Sequence, residues 1–77
     1  MLILYTKDGC QHCSLVKQEL AKIDIPYEER NVADSKNAET LISQGGKMQT
    51  PFLMDEETGI SMYESMVIMD YLRKIYT

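Results

Sequence analysis

The sequence predicts an α/β protein, built as a four-stranded mixed sheet with helices on both faces. Three observations carry this expectation. Short apolar runs alternate with stretches of helical apolar spacing, in the order β-α-β-α-β-β-α. The first three elements make a βαβ unit, which calls for parallel strands and a right-handed crossover. The two strands before the last helix are separated only by Glu56-Glu57-Thr58-Gly59, so they join the sheet as an antiparallel hairpin. The 77 residues suit one small domain spanning 1–77, with no repeat, linker or low-complexity tract.

Each element has its own signal. Met1 to Thr6 is nearly all apolar and reads as a buried strand, and Lys7-Asp8-Gly9 is a turn. From Gln11 to Ile23, the apolar residues Leu15, Val16, Leu20 and Ile23 recur at helical spacing, with Lys17, Gln18 and Lys22 opposite them. Pro26 is expected to end that helix. Tyr27 to Val32 is strand-like but polar, which suits a sheet edge. Asp34 or Ser35 caps a second helix whose inner face carries Ala38, Leu41 and Ile42, and Gly45-Gly46 ends it. Pro51 to Asp55 is an apolar strand and Ile60 to Tyr63 is its return. From Glu64 onward, Val67, Ile68, Tyr71, Leu72 and Ile75 mark a closing amphipathic helix. Met48, Met54, Met62, Met66 and Met69 are expected to fill the core, with Met48 placed to border a groove. Tyr5, Tyr63, Tyr71 and Tyr76 are expected to be packing residues.

Composition narrows the function classes. Twelve acidic residues against eight basic ones give a formal charge of −4, and no basic cluster interrupts the chain. A nucleic-acid-binding module would ordinarily show a basic face. There is no secretory leader pattern and no apolar run long enough to span a bilayer. A cytoplasmic location away from membranes is therefore expected.

The two cysteines, Cys10 and Cys13, form a C-x-x-C motif after a strand and before a helix, the context of a redox dithiol. A bridge between them closes a loop too short to staple a fold, so they suit chemistry better than structure. The helix start brings unpaired N–H groups and partial positive charge, both of which favour the thiolate, the nucleophilic form. Two cysteines and His12 cannot complete a tetrahedral zinc site within one chain, and no metal ligand set is expected. Read from residue type alone, Lys7 is also a solvated turn residue and His12 a surface helix residue. Pro51 also reads as a strand-opening proline, and Glu64-Ser65 as a plain helix cap.

Tyr5-Thr6-Lys7-x-Gly9-Cys10-x-x-Cys13 resembles the active-site segment of glutaredoxins, members of the thioredoxin-fold superfamily. Thr50-Pro51 resembles the dipeptide that holds that fold's cis-proline. Glu64-Ser65, followed by an apolar helix, resembles the glutamate–serine signature of glutathione S-transferase N-terminal domains. The resemblance covers almost the whole chain and departs at Gln11, where glutaredoxins usually carry proline. It implies a thioredoxin-like glutaredoxin fold and a dithiol thiol–disulfide oxidoreductase with glutathione as cosubstrate and no tightly bound cofactor.

By this resemblance, Cys10 is the attacking thiolate, with Lys7 as a nearby cation and His12 as another when protonated, and Cys13 is the shielded resolving thiol. The Thr50-Pro51 bond is cis and offers the Thr50 backbone to an extended thiol ligand. Ser65 holds the α-carboxylate of the γ-glutamyl group, and Glu64 receives its amino group. Gln49 and Lys47 are candidates for the glycine carboxylate. The implied partners are glutathione and disulfide-containing or glutathionylated proteins, and a monomer is expected. Three alternatives stay open: a redoxin fed by thioredoxin reductase, an iron–sulfur or glutathione-binding protein, and a transferase acting on electrophiles.

Overall fold

The computed structural model of the chain describes residues 1–76. Its elements are β1 (Leu2–Thr6), α1 (Gln11–Ile23), β2 (Tyr27–Asn31), α2 (Ser35–Gly45), β3 (Phe52–Asp55), β4 (Ile60–Tyr63) and α3 (Ser65–Tyr76). The sheet order is β2-β1-β3-β4. β1 runs parallel to β2 and antiparallel to β3, and β3 is antiparallel to β4. This is the four-stranded mixed α/β sheet expected from the order of elements, and the thioredoxin-like architecture that the resemblance implies, with polar β2 at an edge. Among the described residues, no helix is long and apolar enough to cross a membrane.

The two faces of the sheet bury different helices, because successive strand residues point to opposite sides. On one side Leu2, Leu4 and Leu53 meet Val16 and Leu20 of α1 and Ile68, Met69 and Leu72 of α3. On the other, Ile3, Tyr5 and Phe52 meet Leu41 of α2. β1 is buried along its whole length, as a strand covered on both faces must be. A Glu19–Arg73 bond of 2.9 Å ties α1 to α3 at the margin of the first layer.

Several expectations need correction. α1 ends at Ile23 as expected, but Asp24 rather than Pro26 closes it, adopting a left-handed backbone and returning its N–H to Leu20. Leu15 lies beyond the stripe of Cys13, Val16 and Leu20 and is 43% exposed. Ile42, Val67 and Ile75 are also exposed, because each helix buries a narrower face than its apolar residues outline. The methionines are not core filler as a group: Met69 is buried, Met54 and Met62 are half-buried, and Met48 and Met66 are exposed.

The tyrosines do more than pack. Asp55, 2% exposed, accepts bonds of 2.6 Å from both Tyr71 and Tyr76 hydroxyls. The Glu57 N–H adds a third at 3.0 Å. Burial works against ionisation of Asp55, but these hydrogen bonds and one from the Thr58 backbone outweigh it, so its pKa is held below the ordinary aspartate value. The network pins the end of α3 to the β3–β4 hairpin, at the opposite end of the sheet from the cysteines.

Candidate functional site

The cysteine motif sits where parallel β1 hands the chain to α1, at the carboxyl end of the strand. Buried Thr6 closes β1, and the turn Lys7–Cys10 is closed by a Cys10 N–H bond to the Lys7 carbonyl at 3.2 Å. Gly9 takes φ of 74° in that turn, a conformation that favours glycine. Cys10 is then the N-cap of α1, with extended backbone, and its Sγ accepts the backbone N–H of Cys13 at 3.2 Å. A cysteine thus does what Ser or Asp ordinarily does at a cap. The consequence is chemical: the sulfur lies on the electropositive end of the helix.

Cys10 and Cys13 are paired as a disulfide, with Cα atoms 5.2 Å apart. Cys10 is partly accessible, whereas Cys13, inside the first helical turn, is 2% exposed. This asymmetry places one sulfur toward solvent and the other behind it.

Two further segments meet the C-x-x-C motif, one at Cys10 and one at His12. The Thr50-Pro51 peptide bond is cis, and the Thr50 hydroxyl faces Cys10 Sγ at 3.7 Å. Pro51 is buried at the entry to β3. Ser65, buried at the start of α3, lies 3.1 Å from His12 Nδ1 through its hydroxyl. The interior of the C-x-x-C motif is therefore joined to the last helix. Glu64 connects β4 to α3 with φ of 76°, a left-handed backbone that costs a non-glycine residue about 1–2 kcal/mol. Its carbonyl accepts the Ile68 N–H at 3.0 Å and so opens the helix. Strain of this kind at an exposed helix start marks a candidate functional position.

Two cavities flank the Lys7 turn. One, about 450 Å³, is lined by Lys7, Val32, Met48, Gln49 and Thr50. Met48 borders this groove, as its place beside Thr50-Pro51 suggested. The other, about 300 Å³, lies under the two cysteines and includes Thr6, Lys17 and Glu29. There Glu29 accepts the Thr6 hydroxyl at 2.7 Å and pairs with Lys17 at 2.7 Å. The Lys17 and Thr6 hydrogen bonds outweigh desolvation and hold the Glu29 pKa below the usual glutamate value.

The structure thus brings Cys13 and the Thr50 hydroxyl to the Cys10 sulfur, with Lys7 in the turn that precedes it and His12 and Ser65 bonded to each other alongside. Glu64 is reached through Gln49, whose Nε2 donates to Oε1 at 2.9 Å. Gln49 therefore bonds at the Glu64 end, and Lys47 lies over the Tyr63 ring, 4.9 Å from its centroid. The resemblance implies both at the glycine end instead. Sequence spacing does not reveal the Glu29–Lys17 pair, although Lys17 stands one helical turn after Cys13, the spacing that puts side chains on one face. Among the described residues, no group of three or more His, Cys, Asp or Glu side chains is placed to hold a metal ion.

Comparison with known proteins agrees with this fold. The family model described as glutathione S-transferase, N-terminal domain, matches residues 4–77. No curated protein sequence matches the chain. Among solved structures, a thioredoxin-like protein superposes with a TM-score of 0.83 at 23% identity, covering 96% of this chain and 97% of that one. A glutathione S-transferase from Drosophila melanogaster gives 0.82 at 29% identity, covering 99% of this chain and 35% of that one. A glutathione transferase homolog from Drosophila mojavensis, with bound glutathione, gives 0.81 at 28% identity, with 97% and 35% covered. The chain therefore spans about a third of the length of the transferases it resembles.

Proposed function

This chain belongs to the glutathione S-transferase N-terminal-domain family, and on that premise we propose that it is a glutathione-dependent thiol–disulfide oxidoreductase of the glutaredoxin type. The observation that carries the reading is the Cys10–Cys13 pair at the start of α1, with Cys10 partly accessible and facing the Thr50 hydroxyl.

The chemistry is two-electron exchange. The Cys10 thiolate attacks the glutathione sulfur of a mixed disulfide. A Cys10–glutathione bond forms, and the substrate sulfur leaves as a thiolate that takes a proton from water. A second glutathione thiolate then attacks the sulfur bound to Cys10. Glutathione disulfide departs and the Cys10 thiolate is restored, so one free glutathione and the one carried in by the substrate leave together as the oxidised product while the substrate thiol is reduced. On the dithiol route, the Cys13 thiolate attacks Cys10 instead. Glutathione is expelled and the disulfide present in this structure forms.

Glutathione lies, on this reading, along the Thr50 strand entry with its γ-glutamyl end toward α3. Ser65 and the first-turn N–H groups of α3 receive the carboxylate, and Glu64 receives the amino group. Lys7, beside the Met48–Thr50 groove, answers the negative charge of the remaining carboxylate, and His12 holds the Ser65 hydroxyl in place. The bound glutathione of the Drosophila mojavensis homolog supports this choice of thiol.

The test is reduction of a glutathionylated peptide with glutathione and glutathione reductase, beside a parallel assay with thioredoxin reductase. The account expects turnover in the first and none in the second. Turnover with thioredoxin reductase alone would keep the dithiol and remove glutathione. Conjugation of an aryl halide to glutathione without peptide reduction would make the chain a transferase.

A further inference from the structure

We infer that Tyr63 is the positioning residue of the glutathione groove: its hydroxyl fastens the Lys47–Thr50 segment to the end of β4 and so sets how far the Thr50 wall stands from the Glu64-Ser65 wall. The inference rests on the glutathione reading above. Tyr63 closes β4 opposite Phe52, and their rings lie 4.5 Å apart, so the sheet dictates where the phenol reaches. At its far end, the hydroxyl donates to the Lys47 carbonyl at 2.6 Å and accepts the Lys47 N–H at 3.4 Å. One side chain thereby satisfies both backbone groups of a loop residue. The Lys47 ammonium over the same ring adds a cation–π hold.

Gly45 confirms how closely the tyrosine must approach. A Cβ at this last residue of α2 would stand 2.1 Å from the Tyr63 hydroxyl oxygen and 2.7 Å from the ring carbon that bears it. The backbone there is helical, so glycine is needed for the approach and not for its conformation. Beyond the held Lys47, Gln49 reaches Glu64 at 2.9 Å and Thr50 faces Cys10 Sγ at 3.7 Å. Tyr63 is itself bonded in the chain to Glu64. The same residue therefore anchors both walls and acts on the ligand only through them.

Tyr63→Phe keeps the ring and its Phe52 contact and removes both hydroxyl bonds. The probe is S-methylglutathione, whose blocked sulfur cannot exchange with the disulfide. Its Kd is expected to rise about three- to tenfold, the range for lost neutral hydrogen bonds. The KM for glutathione is expected to rise in step, with kcat altered less than about twofold. Amides of Met48, Gln49 and Thr50 should exchange faster with deuterium while those of β1 and β3 keep their protection. Gly45→Ala, which drives the hydroxyl away, should act in the same direction.

Unchanged affinity and unchanged loop exchange in Tyr63→Phe would overturn the inference, as would a fall in kcat at constant KM. Faster loop exchange in Tyr63→Phe, with a parent chain that shows no affinity for S-methylglutathione, would leave the clasp standing and remove the glutathione reading.

Discussion

A Cys10→Ser chain is expected to lose reduction of glutathionylated peptide by about 10³-fold or more, since the other thiol, Cys13, is 2% exposed and shielded from an incoming disulfide. Serine keeps the N-cap, because its oxygen can accept the Cys13 N–H that the sulfur accepts now. The loss would therefore be chemical, with the melting temperature nearly unchanged once both chains are compared in reduced form. Cys13→Ser should behave differently. Its sulfur is shielded within the first turn of α1, and glutathione can resolve the mixed disulfide from outside. That variant should retain substantial turnover with glutathione while losing the ability to store an internal disulfide. Mass spectrometry of the stalled Cys13→Ser protein should show one glutathione attached, and Cys10→Ser should show none. Equal activity in Cys10→Ser and the parent would remove Cys10 as the nucleophile.

Asp55→Ala should destabilise the fold by about 3 kcal/mol, since two tyrosine hydroxyls lose a charged acceptor at once. That is a large share of the stability available to a domain of this size. Asp55→Asn keeps an acceptor and should lose less. The pH dependence follows from the direction of the shift. The folded-state pKa of Asp55 lies below its unfolded value, so its contribution is complete above the unfolded value of about 3.9 and is lost as pH falls through the folded one. The hydroxyls of Tyr71 and Tyr76 are shifted upward, Tyr71 by burial first and Tyr76 by the Asp55 bond first. Their contribution is complete below the unfolded value of about 10 and fades as pH rises through the folded values. Urea unfolding across pH should show the parent weakening below about pH 4, with that weakening blunted in Asp55→Asn. A parallel fall in both proteins would place the acid sensitivity elsewhere.

Much of the architecture was legible because it depends on periodicity and punctuation. Polar Tyr27–Asn31 lies at the sheet edge, and Asp34 caps α2 as its residue type allows. The Cys10–Cys13 pair sits at a helix start because strand, turn and helix signals follow one another without a gap. Long-range geometry was not legible in the same way. Leu15, Val67 and Ile75 are apolar at helical spacing, yet only contact with the sheet decides which side of a helix is covered. Asp55 read as the end of a strand, because nothing local shows that two tyrosines sixteen and twenty-one residues later converge on it. The left-handed backbone at Glu64 is equally invisible in a residue type that rarely adopts it. Tyr63 looked like packing, and its hydroxyl acquires a role only when α2 and β4 meet.

On the proposed mechanism Cys10, capping α1 and accepting the Cys13 N–H, is held ready as a thiolate in the reduced protein. The most direct measurement is the rate of Cys10 alkylation by iodoacetamide in the reduced protein, followed by mass spectrometry across pH. A midpoint at about pH 7 or below is expected, with Cys13 reacting far more slowly. A midpoint near about 8.5, the value of an ordinary cysteine thiol, or faster labelling of Cys13 would contradict it.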